Sequence, residues 1–232
     1  MNNPILTQLQ FLKSQIPPDV RLIAVSKTMT VDSIRKAYQG GIRDFAENKL
    51  QEAISKQEEL TDLPDICWHF IGHLQSNKVK KAVESFPWIH SIDSLKVAEK
   101  TNRLAHEALK EGIIKEYPNI CLQVKILADE SKFGWNVSEL SEDIPFLTQL
   151  KSIRPRGLMA ILPLGLSQDE SLKAFKKVKI LRAELKKDFG TDFDQLSMGM
   201  SGDYLLAIEA GATMIRLGTI IFGKRNYHSN PK

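Results

Sequence analysis

Short apolar runs alternate with longer amphipathic stretches along most of the chain. The runs 22–27, 43–46, 67–71, 88–90, 119–127, 156–161, 195–197 and 212–217 read as strands, bounded by turn residues. Several are apolar at both alternations, the pattern of a strand buried on both faces. Between them the apolar spacing follows a helical period. Helices are expected over 5–16, ended by Pro17-Pro18, and from a Thr30 cap to Gln39, stopped by Gly40-Gly41. Further helices are expected over 49–60, from a Ser76 cap to 85, and over 94–111, 138–150, 168–188 and 204–210, the last stopped by Gly211.

Strands that alternate with helices pair in parallel, because parallel neighbours need a crossover connection. Eight such units close most naturally into a single (β/α)8 TIM barrel, with an open doubly wound sheet as the alternative. At 232 residues the chain is slightly short for a barrel, so its loops must be compact, and residues 1–232 are expected to form one domain. Chemistry in such barrels collects at the carboxyl ends of the strands. Lys27, Glu47-Asn48, Gly72-His73, Ser91 and Asp93, Met159 and Pro163, Ser197, Gly199 and Ser201, and Arg216, Gly218 and Thr219 fall there.

Composition narrows the class. Hydrophobic residues make up 42% and charged residues 26%, ordinary for a soluble globular protein. No apolar run approaches a membrane span. The start, Met1-Asn2-Asn3-Pro4, shows no secretory pattern, so a cytoplasmic location is expected. The two cysteines, Cys67 and Cys121, sit in apolar surroundings and are expected as buried thiols rather than a disulfide. No Cys/His spacing suits zinc, and no metal is expected. The net charge is +4. Lys176, Lys177, Lys179, Lys186 and Lys187 lie opposite Leu172, Phe175, Val178, Leu181 and Leu185, which describes a solvated helix face. No aromatic residues alternate with them as a nucleic-acid platform would need.

Two strand ends carry the candidate chemistry. The last strand delivers Arg216, then Gly218-Thr219, before a short segment able to open a helix, and N–H groups at such a step can receive a phosphate. The first strand ends in Ser26-Lys27. A desolvated lysine beside another cation releases its lone pair, and its amine can form a Schiff base. A lysine amine and a distant phosphate cradle together are what pyridoxal phosphate requires. Arg216, a donor only, would leave a ring nitrogen unprotonated and the ring a poor electron sink. Ser201 suits a helix cap that could meet the phosphate, and Asp203 a first-turn carboxylate. Asn48 could reach the ring hydroxyl. His69 is either a satisfied core histidine or a site residue, and His73 is a candidate base. No Ser-His-Asp order makes a triad.

The segments LIAVSKT, FAENKLQE, WHFIGHLQSNK, SIDS, ESKFG, RGLMAI and LSMGMSGDYLLAIEAGATMIRLGTIIFG occur in this order between about residues 22 and 225. Together they resemble the pyridoxal phosphate homeostasis protein family. The resemblance implies a fold-type III barrel similar to the alanine racemase N-terminal domain. It implies pyridoxal phosphate carried as a Schiff base on Lys27. Ser201, Gly218 and Thr219 would contact the phosphate, Arg216 the ring nitrogen, and Asn48 would lie near the cofactor. It implies storage or delivery of the cofactor in vitamin B6 homeostasis, with no catalytic residue assigned and pyridoxal-phosphate-dependent apo-enzymes as candidate recipients. Trp135 stands where a smaller apolar residue is expected, and Gly202 where an acidic one is common. The alternative is a small racemase or lyase using the same lysine. A racemase needs acids on both faces of its substrate, and the tyrosines Tyr38, Tyr117, Tyr204 and Tyr227 sit at no obvious strand end. Only residues 217–232 follow Arg216, so no β-rich second domain is expected, which is compatible with a monomer.

Overall fold

The computed structural model describes residues 3–129 and 132–223. Eight parallel strands close in sequence order into a barrel: β1 (Arg21–Val25), β2 (Asp44–Glu47), β3 (Cys67–Phe70), β4 (Trp88–Ile92), β5 (Asn119–Val124), β6 (Arg154–Ala160), β7 (Gln195–Ser197) and β8 (Met214–Leu217). The closing seam pairs Arg21 with Met214, Ile23 with Arg216 and Ala24 with Leu217. Helices α1 (Pro4–Gln15), α2 (Val31–Gln39), α3 (Leu50–Glu59), α4 (Val79–Ser85), α5 (Leu95–Lys110), α6 (Val137–Leu147), α7 (Gln168–Phe189), α8 (Tyr204–Ala210) and the one-turn α9 (Thr219–Phe222) complete the order.

Local sequence accounts for the helix starts. Asn3 caps α1 through Ile5 N–H with Pro4 in its first turn, Thr30 caps α2 through Ser33 N–H, and Ser167 with Glu170 forms a capping box on α7. Helix α7 buries Phe175, Val178, Leu181 and Leu185 and leaves Lys176, Lys177 and Lys179 exposed, the solvated face expected for it. Among the described residues no helix is long and apolar enough to cross a membrane.

Strand alternation divides the core in two. Outward residues such as Ala24, Phe45, Ile89, Leu122, Leu158 and Leu196 join the large cluster between barrel and helices. Inward residues Ile23, Val25, Ala46, Trp88, Cys121, Met159 and Met214 form a separate cluster that fills the lumen. The same inward positions carry His69, His90, Ser197 and Arg216, all buried.

The structure corrects several boundaries. β5 ends at Val124 rather than 127, because the chain bends there to pair Trp135 N–H with the Gln123 carbonyl and Lys125 N–H with the Trp135 carbonyl. Trp135 is buried, and its Nε1 donates to Asp143 at 2.8 Å, so the loop accommodates the large ring. Ser76 opens a 3₁₀ turn rather than α4 itself. Lys27 lies past the end of β1, in a turn closed by Met29 N–H on the Ser26 carbonyl. Cys67 is half-buried rather than buried, whereas Cys121 is fully buried; burial pushes both thiols up to about 12.

Candidate functional site

A cavity of about 490 Å³ opens at the carboxyl ends of the strands. Lys27, Asn48, Ser201, Arg216, Gly218 and Thr219 all line it. These six residues come from four places in the sequence, and the barrel brings them to one mouth.

Lys27 is held by its flanks. Ser26 N–H continues the sheet onto the Ala46 carbonyl, and Ser26 Oγ donates to Glu47 Oε1 at 2.7 Å. Lys56 donates to the Ser26 carbonyl at 2.8 Å, to Glu47 at 2.8 Å and to Glu52 at 2.7 Å. On the other side Thr28 adopts φ +65°, the left-handed region that a β-branched residue seldom enters. Glu47 is fully buried, and that burial pushes its carboxyl above the usual range against the pull of Lys56 and Ser26. Sequence reading placed Glu47 at a strand end and Ser26 beside Lys27 but passed over Lys56 and Glu52, which join them. The i, i+4 pair Glu52–Lys56 on α3 was the available signal, but such pairs are usually solvent-exposed.

At the end of β8, Gly218 caps α9 and has no side chain to occupy the first turn. The N–H groups that open a helix have no intrahelical acceptor; those of Thr219, which lines the cavity, and Ile220 are two of them. Ser201 lies across from them; its Oγ accepts Ile220 N–H at 3.4 Å, a long contact. Ser201 does not cap α8. Asp203 is the N-cap, and its carboxylate accepts Met200 N–H at 2.6 Å, tying down the turn that carries Ser201. Gly202 adds no crowding, since a Cβ there would meet nothing within 4 Å.

Arg216 forms part of the lining from below. Nη1 donates to Ser197 Oγ at 2.7 Å and Nη2 to the Ala160 carbonyl at 3.0 Å. Burial lowers its guanidinium to about 10, which leaves it charged at neutral pH.

The histidines divide. His69 is fully buried between Asp44 at 2.9 Å and His90 at 2.9 Å, a core position away from the cavity lining. His73 lines the cavity, pairs with Asp93 at 2.9 Å and stacks on Phe133 with ring centroids 3.5 Å apart. Asp44, Cys67 and His69 place ligand-type atoms within 4.8 Å of one another, although their spacing matches no metal motif. The β2–β3 register, which sets Cys67 beside Asp44, and the His69–Asp44 hydrogen bond account for that proximity, and the Arg21 guanidinium lies 3.8 Å from Asp44. Of the tyrosines, Tyr38 donates to Asp65 at 2.5 Å on α2, and Tyr204 is buried at the start of α8. Tyr117 lies in the loop before β5, whereas Tyr227 and the Glu130-Ser131 step of the ESKFG segment lie outside the described residues.

The lining has a single sign of charge. It carries Lys27, Lys132 and Arg216 and, among the described residues, no carboxylate. A volume of this order admits a small cofactor, and three cations with hydroxyl and helix N–H donors suit a phosphate ester. The residues present therefore fit pyridoxal phosphate.

Comparison with known proteins agrees with this geometry. The family model described as the alanine racemase N-terminal domain matches residues 4–226. A pyridoxal phosphate homeostasis protein of Synechocystis sp. is 50% identical over 210 residues, 90% of this chain and 94% of that one. The Escherichia coli K12 protein of the same name is 37% identical over 91% of this chain and 88% of its own. Among solved structures, PipY of Synechococcus elongatus PCC7942 with PLP bound superposes with a TM-score of 0.88 at 49% identity, over 94% of this chain and all (100%) of that one. Alanine racemase of Clostridium difficile 630 superposes at TM-score 0.77 over 97% of this chain and 61% of its own; at 17% identity it shows the fold alone. On a match spanning nearly its whole length, the chain belongs to the pyridoxal phosphate homeostasis proteins, within the family of the alanine racemase N-terminal domain.

Proposed function

We propose that this protein binds pyridoxal phosphate through Lys27 and serves its storage or delivery in vitamin B6 homeostasis. The observation that carries this reading is the neighbourhood of two strand ends. β1 and β8 pair at the barrel seam, so Lys27 and the Gly218-Thr219 step share one cavity, whose lining holds no carboxylate among the described residues. Relatives named pyridoxal phosphate homeostasis proteins and a PLP-bound structure at 49% identity support it.

Pyridoxal phosphate, when bound, supplies an electrophilic aldehyde carbon and an electron-withdrawing ring. Lys27 is the amine that would hold the aldehyde end. Gly218, Thr219 and Ser201 would hold the ester phosphate with backbone and hydroxyl donors. Arg216 would face the ring nitrogen and Asn48 the ring hydroxyl. A guanidinium only donates and has no proton to spare near neutrality, so Arg216 would keep the ring nitrogen unprotonated and weaken the ring as an electron sink. That suits a carrier better than a racemase. The chain would act as one domain over residues 1–232, in the cytoplasm, as a monomer that hands cofactor to pyridoxal-phosphate-dependent apo-enzymes.

Borohydride reduction of protein loaded with pyridoxal phosphate, followed by peptide mapping, tests the attachment. The label is expected on the peptide containing Lys27 and absent in Lys27→Ala, which keeps its fold because no core cavity is made. A label on Lys132 instead would overturn the assignment. Solvent-deuterium exchange at the α-carbon of an L-amino acid, at a catalytic rate, would overturn the carrier reading.

A further inference from the structure

The lumen holds a continuous file of polar side chains below the cavity. Arg216 Nη1 donates to Ser197 Oγ at 2.7 Å; Ser197 Oγ lies 2.7 Å from His90 Nδ1. His90 Nε2 lies 2.9 Å from His69 Nδ1, and His69 Nε2 lies 2.9 Å from Asp44 Oδ1. Five strands contribute one member each. Ser197, His90 and His69 are wholly buried, whereas the Asp44 side chain is 22% exposed at the opposite mouth, beside Arg21.

The two ends determine where every proton sits. A guanidinium can only donate, and an ionised carboxylate can only accept. Ser197 accepts from Arg216, so its single proton goes to His90 Nδ1. His90 then carries its proton on Nε2 and donates to His69 Nδ1, and His69 carries its own on Nε2 and donates to Asp44. Reversing the file would set a nitrogen lone pair against the Asp44 oxygen at 2.9 Å and leave the Ser197 hydroxyl proton without its acceptor. A third proton state, with either imidazole charged, is opposed by complete burial, which lowers both rings from the ordinary histidine value.

We propose that Ser197, His90, His69 and Asp44 are positioning residues: a one-directional hydrogen-bond file, both imidazoles neutral with the proton on Nε2, that fixes the Arg216 guanidinium beneath the cavity. Its consequence for cofactor binding rests on the proposed function. The tautomers do not.

Nitrogen NMR of ¹⁵N-histidine-labelled protein without added cofactor reads the tautomers directly at neutral pH. Expected are a protonated Nε2 and a pyridine-type Nδ1 for both His69 and His90. A proton on Nδ1 of His90, or a charged ring at either position, overturns the proposal. Ser197→Ala, a small truncation, cuts the file beside Arg216. His90 should then lose its single tautomer, and the dissociation constant for pyridoxal phosphate should rise about tenfold, the effect of one charge-assisted hydrogen bond. Wild-type affinity in folded Ser197→Ala protein refutes the positioning role. Wild-type protein that takes up no pyridoxal phosphate but shows the expected tautomers refutes the proposed function and leaves the file standing.

Discussion

The Glu52 carboxylate accepts the backbone N–H of Thr28 at 2.5 Å, and so fastens the residue after Lys27 to helix α3. Thr28 sits at φ +65°, a conformation that disfavours a β-branched side chain by about 1–2 kcal/mol. Such a conformation persists where the surroundings over-determine it. Here Lys56 supplies the second half, bridging Glu52 to the Ser26 carbonyl and to Glu47. The turn bearing Lys27 is thus gripped at both of its neighbours.

Removing Lys56 should be severe. Lys56→Met leaves the fully buried Glu47 carboxylate without its cation and should destabilise the protein by roughly 3–5 kcal/mol. Urea denaturation measures this. Lys56→Met combined with Glu47→Leu should recover much of the loss, because the unpaired charge goes with its partner. An equal or larger loss in the double variant would contradict the account.

Gly72 tests the close approach of the segment after β3 to Asn48. A Cβ at position 72 would lie 2.1 Å from the Asn48 carbonyl oxygen, so the backbone must move. Gly72→Ala should lower stability by about 1–3 kcal/mol and weaken pyridoxal phosphate binding, since it displaces Asn48 at the cavity. Gly202→Ala is the control. Its Cβ meets nothing within 4 Å, and stability should stay within about 0.5 kcal/mol of wild type. Denaturation curves on the two variants separate crowding from a general glycine effect, and a cofactor titration of Gly72→Ala against wild type reads the displacement of Asn48.

Acid should weaken the fold before the ordinary carboxylates titrate. Burial lowers His69 and His90 from 6.5 in the folded state, so below about pH 6.5 the unfolded chain binds protons that the folded chain refuses. Stability is therefore full above that pH and falls as the solution is acidified, because each buried neutral imidazole resists the proton that its unfolded counterpart takes up. Glu47, raised by burial, works in the opposite sense, but it is one group against two. Denaturation midpoints at pH 7.5 and 5.5 should differ in that direction, and a flat or rising profile would contradict neutral buried imidazoles.

Arg216→Lys should not be conservative. An ammonium cannot span both Ser197 Oγ and the Ala160 carbonyl with the planar fork that now does so. Pyridoxal phosphate affinity should fall by about tenfold or more, as for the loss of one charge-assisted hydrogen bond. Equal affinity in the lysine variant would show that charge alone matters at this position.

Alternation of apolar runs with helical periods was enough to read the (β/α)8 order, because each period follows from local backbone geometry. Strand ends could be located well enough to single out Lys27, Asn48, Ser201, Arg216, Gly218 and Thr219. Local signals misjudged finer points. Ser201 has the chemistry of a cap, yet Asp203 takes that place with a carboxylate that reaches Met200 N–H. His69, with polar chemistry and apolar neighbours, was ambiguous because alternation does not say which side chain meets it across the lumen. The file from Asp44 through His69, His90 and Ser197 to Arg216 joins residues scattered over the chain, and each link exists only after the barrel closes. The same holds for the grip of Glu47, Lys56 and Glu52 on the turn around Lys27. Periodicity records which face a residue takes; partnership across strands depends on register and closure, and no single stretch of chain encodes those.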